Sequence, residues 1–328
     1  VPDAESAAAA VALGGERLGL LLNPRAGGLR RPLERVRALA ASLPLTAAHE
    51  ADTPAGMAAA LEAMAADGVT ALVVVGGDGT VQAVLGQLLE ARPFPHLPWL
   101  VVVPAGSTDM TARDIGLRGG PVAVLERLVS AVADARKLTA RYRPVLGVGH
   151  GGHRVCGMFF GAGMIADGVG YFRERVRGRG LVGEKASALA VLRTLAAPFT
   201  RRPRGRGVTL REPAALAPPV DHGLVLVSAL DRLLFGSHPY WGGGAGALHC
   251  TVMPARPGRL VAALPRLLRG RPGRRLSPRR GFASGDVDAV TLDIDGDYVV
   301  DGELYPADSA RGPVHVGVAE RAMPFLVP

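Results

Sequence analysis

The residues of this chain best suited to chemistry lie where apolar strands end. Leu72-Val73-Val74-Val75 runs into Gly76-Gly77-Asp78-Gly79-Thr80, so an apolar run stops at glycines where a helix should begin. Glycine has no Cβ, which lets backbone N–H groups approach phosphate oxygens, and the N-terminus of the next helix adds partial positive charge. A carboxylate beside a polyphosphate repels it unless a divalent cation lies between them. Asp78 therefore implies Mg²⁺, held directly or through water. An ordinary tight strand-to-helix turn would use the same glycines, and this segment alone does not choose.

Two further stretches repeat the pattern. Leu18 to Leu22 ends in Asn23-Pro24-Arg25-Ala26-Gly27-Gly28, followed by helical spacing at Leu33, Val36 and Leu39. Trp99 to Val103 ends in Pro104-Ala105-Gly106-Ser107-Thr108-Asp109, and Met110 to Ile115 reads as a helical turn. Side by side, three such ends form the carboxyl edge of a parallel sheet, where open α/β sheets bind ligands.

The elements that must position these turns follow from periodicity. From Glu16 to about Ala135, strands alternate with helical patterns at Leu33 to Ala41, Met57 to Ala66, Val81 to Leu89 and Val122 to Val132, which predicts βαβ units and a parallel sheet. After Lys137 come short strands separated by glycines: Tyr142 to Val148, Val155 to Gly161, Gly207 to Leu210, Gly223 to Ser228, Val290 to Ile294 and Tyr298 to Val300. These predict a second, largely antiparallel β domain. An amphipathic helix is expected at Glu184 to Leu195, after the basic stretch Phe172 to Arg179, and residues 1–15 read as a flexible tail. The fold class is thus α/β: a parallel-sheet domain followed by an antiparallel β-sandwich.

The order Asn23-Pro24-x-x-Gly27, Gly76-Gly77-Asp78-Gly79-Thr80, Pro104-x-Gly106-x-Thr108 and Asp301-Gly302-Glu303 resembles the diacylglycerol kinase catalytic-domain family. That family includes bacterial lipid kinases, sphingosine kinases and ceramide kinases, and is distantly related to NAD kinases. The resemblance runs over nearly the whole chain. It implies a nucleotide-binding domain at residues 16–137 plus about 306–328, a lipid-substrate domain at 138–305, and a site in the cleft between them. It also implies ATP and Mg²⁺ as cofactors, with Asn23, Gly27, Gly76, Gly77, Gly79, Thr80, Gly106, Ser107 and Thr108 as phosphate contacts. Asp78 would position the metal. Asp301 would be the general base on a lipid hydroxyl, with Glu303 supporting it. Read without the family, Asp301-Gly302 is a hairpin turn. Arg25 and Arg30 are further candidates for the outer phosphates, although surface arginines need no such role.

Departures from the family pattern are specific. Asp109-Met110-Thr111-Ala112 stands where the family has Asn-Asp-Phe-Ala, so the carboxylate has moved by one residue. On a helix that turns the side chain by about 100°, and whether Asp109 serves as a metal ligand is left open. Ala83 replaces an acidic residue, and Gly242 to His249 replaces an acidic loop that holds a structural cation in some members.

Composition removes several classes. Hydrophobic residues make up 48% of 328 residues, with mean hydropathy +0.22, which excludes a disordered chain. Cys156 and Cys250 are isolated, as in a reduced cytoplasmic protein. No apolar run is long enough to span a bilayer, and Ala7 to Leu13 lacks the basic flank of a signal peptide. The net charge of +9 comes mostly from arginine, clustered at 173–179, 201–206 and 266–280; such clusters meet anionic membranes or merely solvate a surface. Aromatics are 5% and no stacking motif occurs, which disfavours nucleic acid. Gly147-Val148-Gly149-His150-Gly151-Gly152 matches GxGxxG by letter but precedes a strand, so a hairpin is expected. Neither HExxH nor GxSxG occurs, leaving no zinc-protease or serine-hydrolase signature.

The expectation is a lipid kinase on the inner face of the cytoplasmic membrane, monomer or homodimer. The alternatives are a NAD kinase-like enzyme and a catalytically reduced lipid-binding protein. The particular lipid is not readable from sequence.

Overall fold

The computed structural model describes residues 10–176, 208–214, 216, 221–254, 266–271 and 281–328. The arginines from 177 to 206, the helix expected at Glu184 to Leu195 and residues 272–280 fall outside them. The chain divides into two compact units, residues 1–143 with 322–328, and residues 144–321.

The first unit is built on a parallel sheet. Strand β1 (Ala10–Ala12) is an antiparallel partner of the start of β6 (Lys137–His150), through Ala10 with Thr139 and Ala12 with Lys137. Part of the expected tail is therefore a strand. The parallel strands are β2 (Leu18–Leu22), β3 (Leu45–Glu50), β4 (Ala71–Gly76) and β5 (Trp99–Pro104), joined as β3-β2-β4-β5, with Phe325 near the chain end pairing to Leu100. Every residue of β2 and β4 is buried, as central parallel strands require. Strand β3 alternates intermediate and exposed positions, and so carries too weak an apolar signal to be read from sequence.

Helices cover the sheet with the expected periodicity. Helix α1 is Leu33–Ala41, and α2 (Pro54–Ala66) buries Met57, Ala60, Leu61 and Met64, its first turn capped by Thr53. Thr53 Oγ1 accepts from Gly56 N at 3.1 Å, satisfying one orphan donor, and Pro54 presets the first helical φ. Helix α3 is Asp78–Gly86, continued by a π turn at Gln87–Ala91; α4 is Met110–Asp114 and α5 is Pro121–Ala133. The chain passes from β2 outward to β3, then crosses to β4 and on to β5. The order reverses between β2 and β4, so the unit's topological switch point lies where Asn23 and Gly77 leave the sheet.

The second unit is antiparallel. Its strands are β7 (His153–Gly157), β8 (Phe159–Gly163), β9 (Val208–Glu212), β10 (Asp221–Ser228), β11 (Leu248–Pro254), β12 (Ala283–Val287), β13 (Ala289–Ile294), β14 (Gly296–Val300), β15 (Glu303–Ala307) and the first part of β16 (Val314–Val327). Strand β8 lies between β14 and β10, β10 also pairs with β11, and β11 with β12. Helix α6 (Met164–Val176) follows β8 directly and packs against β8 and β14. One strand is expected from Val155 to Gly161. The chain instead breaks at Met158, and both halves are strands.

The expected hairpins form. His150 pairs with His153 across Gly151 and Gly152, whose φ values are +55° and +82°. This left-handed pair closes a two-residue hairpin, so the GxGxxG lettering marks a turn.

Candidate active site

In the first unit the three strand ends are tied to one another. Asn23 Nδ2 donates to Thr80 Oγ1 at 2.9 Å, and Asn23 Oδ1 accepts from Arg25 N at 3.0 Å. Asn23 N donates to Val75 O at 2.9 Å, continuing the ladder past the end of β2. A Cβ on Gly76 would collide with the side chain of Thr80, and one on Gly77 would lie 2.8 Å from Gly106 Cα. Gly28 donates to Ala105 O at 2.8 Å and also has no room for a side chain. These glycines permit backbone to approach backbone. Gly27 and Gly79 are different: a Cβ at either meets nothing within 4 Å, and both are exposed.

Helix α3 begins at Gly77 with no side-chain cap. Thr80 N donates to Gly77 O at 2.9 Å, and a helix start at a sheet's carboxyl edge with no side-chain cap is an arrangement that receives an anion. Asp78, in the first turn, points back to the neighbouring loop. Its Oδ2 accepts from Thr108 Oγ1 at 2.6 Å and Met110 N at 3.2 Å, and its Oδ1 from Thr111 N at 3.3 Å. Asp78 thus clamps the start of α4. Asp109 has φ +46°, a left-handed conformation that Asp and Asn tolerate better than other side chains, and its Oδ1 accepts from Gly106 N at 2.8 Å. It caps its own loop, the part an asparagine would play there. Ser107 is exposed, and Arg25 pairs with Asp52 at 2.8 Å.

Magnesium fits this set only as an ion held mainly by phosphate and water. Among the described residues no three His, Cys, Asp or Glu side chains come together as a metal cage. A carboxylate has about four acceptor positions, and Asp78 uses three on the protein. The remaining position on Oδ1 suits a magnesium-bound water, in keeping with an ion that keeps its waters and takes one or two carboxylates.

In the second unit Asp301 and Gly302 form the two-residue turn between β14 and β15, with φ +47° and +89°, and Val300 opposite Glu303. The hairpin reading and the candidate catalytic reading therefore describe the same residues. The turn aims the Asp301 carboxylate inward: Oδ2 accepts from Met158 N at 2.9 Å and Oδ1 from Phe159 N at 2.9 Å. Asp301 N donates to Phe159 O at 3.0 Å. Asp301 Oδ1 also accepts from Met158 N at 3.2 Å, so backbone N–H groups hold both carboxylate oxygens in place. Glu303 is exposed at the start of β15.

Sequence reasoning missed two residues here. A Cβ on Gly157 would lie 2.5 Å from Val300 Cγ1 and 2.6 Å from Asp301 Oδ2, so only glycine lets the carboxylate reach the break at Met158. The strand-interior glycine was the available signal. His249 is the other; it lies between Asp286 and Asp231. Burial would lower its pKa, but hydrogen bonds to Asp231 and Asp286 outweigh that and raise it. Cys250, beside it, is pushed up to about 12 by burial, which makes it an inert core thiol, as expected.

Residues 17–139 match the model of the diacylglycerol kinase catalytic domain. Two structures from Bacillus anthracis str. Sterne share the fold. One, described as a "putative diacylglycerol kinase", is 15% identical over 99% of this chain and 98% of that one, with a TM-score of 0.63. Another, described as a diacylglycerol kinase, is 16% identical over 95% and 97%, with a TM-score of 0.58. At such identities the likeness establishes the fold: a parallel-sheet α/β unit and an antiparallel one. No curated protein matches the chain.

Proposed function

We propose, for a chain whose residues 17–139 match the diacylglycerol kinase catalytic domain, that the protein transfers the γ-phosphoryl group of ATP to a lipid hydroxyl. The observation that carries this reading is the switch-point edge of the first sheet. There α3 starts without a side-chain cap, next to the exposed Gly79 where a Cβ would meet nothing within 4 Å, which supports binding of a nucleotide phosphate.

The residues divide the work. Backbone at Gly77 to Gly79 binds and orients the phosphates, with Gly27 and Ser107 at neighbouring strand ends. Asn23 and Thr80 lock β2 to α3, and Asp78 holds the loop at Thr108 to Thr111. Magnesium, when bound, offsets the phosphate charge that must be stabilised in transfer. Asp301, fixed by the Met158 and Phe159 amides, takes the proton of the acceptor hydroxyl at a carboxylate oxygen. The second unit supplies the lipid. The described residues include no helix long and apolar enough to cross a membrane; the arginine clusters of the sequence would favour an anionic lipid surface.

Incubation with labelled ATP, a panel of diacylglycerol, monoacylglycerol, sphingoid base and ceramide, and NAD in parallel tests the reading. Label on a lipid that disappears on chelating Mg²⁺ supports it. Label only on NAD overturns it in favour of a nicotinamide nucleotide kinase. ATP binding without transfer overturns it in favour of a reduced lipid-binding protein, a reading that Met110 at the family's carboxylate position would then explain.

A further inference from the structure

Both ring nitrogens of His249, on β11, face carboxylate oxygens. Nδ1 lies 2.7 Å from Asp286 Oδ1 on β12, and Nε2 lies 3.4 Å from Asp231 Oδ1 in the turn after β10. Carboxylates only accept, so both contacts are hydrogen bonds only when both nitrogens carry protons. The geometry is that of an imidazolium bridging two negative charges. The ring also stacks on Tyr240, centroids 4.4 Å apart at 22°, and His238 meets Tyr240 edge-on while its Nδ1 lies 2.7 Å from Asp231 O. Among the described residues, Asp286, Asp231, Tyr240 and His238 are the titratable groups facing the ring.

The Asp231 turn leads directly to the candidate base. Ala229 N donates to Met158 O at 2.9 Å, Ser228 Oγ donates to the same oxygen at 3.3 Å, and Leu230 N donates to Ser228 Oγ at 3.0 Å. Ser228 and Leu230 are fully buried, so this turn has little freedom to move independently. Met158 N, on the other side of that residue, holds Asp301. A second route is apolar: Tyr240 packs with Ile165 and Leu226, with Phe159 and Leu233 against them, and Phe159 N holds the other Asp301 oxygen.

We propose that His249 is a positioning residue for Asp301: as an imidazolium it ties β11 and β12 to the Asp231 turn, and that turn sets Met158 and Phe159, whose amides orient the carboxylate. This rests on the reading of Asp301 as the base. Loss of the Nε2 proton would remove the His249 hydrogen bond to Asp231, and the turn at Ser228 to Asp231 would relax with the Met158 amide.

The test follows the His249 ring and the Met158 and Phe159 amides together, in nitrogen-15 spectra of the full chain from about pH 5.5 to about 9, a range that brackets ordinary histidine titration. Both amides should shift with the midpoint of the His249 ring, and His249→Gln should abolish that inflection. In the kinase assay the wild-type kcat should fall above the same midpoint. His249→Gln should lack that limb, run about tenfold slower because its base is misaligned, and keep its KM for ATP. Amides indifferent to His249 titration, or unaltered by His249→Gln, overturn the proposal. Should that variant not fold, Asp231→Asn must lower the His249 midpoint and displace the Met158 amide; an unmoved midpoint overturns it equally. If no lipid is phosphorylated the functional reading fails, and the amide response still decides whether His249 sets the Asp301 clamp.

Discussion

Gly77 and Gly106 meet back to back: a Cβ built on either would lie 2.8 Å from the Cα of the other. The loops after β4 and β5 are therefore fused at two bare α-carbons. The glycines at Gly77 and Gly106 are demanded by the protein itself, whatever ligand lies nearby.

A test of phosphate binding must therefore avoid that contact. Gly27→Ala and Gly79→Ala add a methyl group that meets no protein atom, and Gly79→Ala in a helix should stabilise by about 0.5–1 kcal/mol. Both variants should unfold at or above the wild-type temperature in calorimetry and yet bind ATP more weakly in titration. Unchanged ATP affinity in both would remove the phosphate loop from the proposed function. Gly77→Val should instead lose thermal stability before any ligand is added.

Asp78→Ala strips Thr108, Met110 and Thr111 of their shared acceptor. Leaving such donors unpaired costs on the order of 1–3 kcal/mol, so urea unfolding should shift together with a loss of phosphoryl transfer. Asp78→Asn keeps one acceptor oxygen and most of the stability but should remain inactive. Normal turnover in the Asn variant would make Asp78 a purely structural clamp.

For Asp301 the conservative variant is the informative one. Asp301→Asn preserves the turn but is not a base, and base catalysis contributes about 10²–10⁴-fold; kcat should fall by that order with ATP affinity intact. Turnover within about threefold of wild type would sink the assignment, being too small for a lost base. Gly157→Ala, whose methyl would press on Asp301 Oδ2, should slow transfer by displacing the same carboxylate.

Stability should depend on His249. Its folded pKa is raised by Asp231 and Asp286 against the effect of burial, so its contribution is complete below the ordinary value of about 6.5 and is lost as pH rises through the folded value. Urea midpoints should fall across that window in the wild type, and His249→Gln should remove this part of the fall. An identical pH profile in the variant would dissociate His249 from stability.

Arg173, Arg175, Arg177 and Arg179 alternate along one short basic stretch. An arginine near an anionic surface contributes about 1 kcal/mol, screened within about 8–10 Å at physiological salt. Replacing all four with Ser should weaken sedimentation with anionic vesicles and lipid phosphorylation together, while sparing ATP binding. Equal sedimentation with neutral vesicles would leave these residues a solvated face.

Sequence by itself determined the parallel unit. The apolar runs at Leu18 to Leu22, Ala71 to Val75 and Leu100 to Val103 are buried on both sides, so their pattern is local and continuous, and the glycines after them mark helix starts that the fold confirms. It also located Asp301-Gly302 as a turn, because two left-handed residues in succession favour Asp-Gly. Tertiary structure decided what the polar atoms face. Strand β3 is half exposed and carries no apolar run to reveal it. Asp78 turned toward Thr108, Met110 and Thr111, residues some thirty positions away, and Asp109 toward Gly106, so local spacing could not tell a ligand from a clamp. Gly157 and His249 acquire meaning only when β14 and β12 arrive beside them, because a close approach or a charge bridge between distant strands leaves no periodic trace in either strand's own sequence.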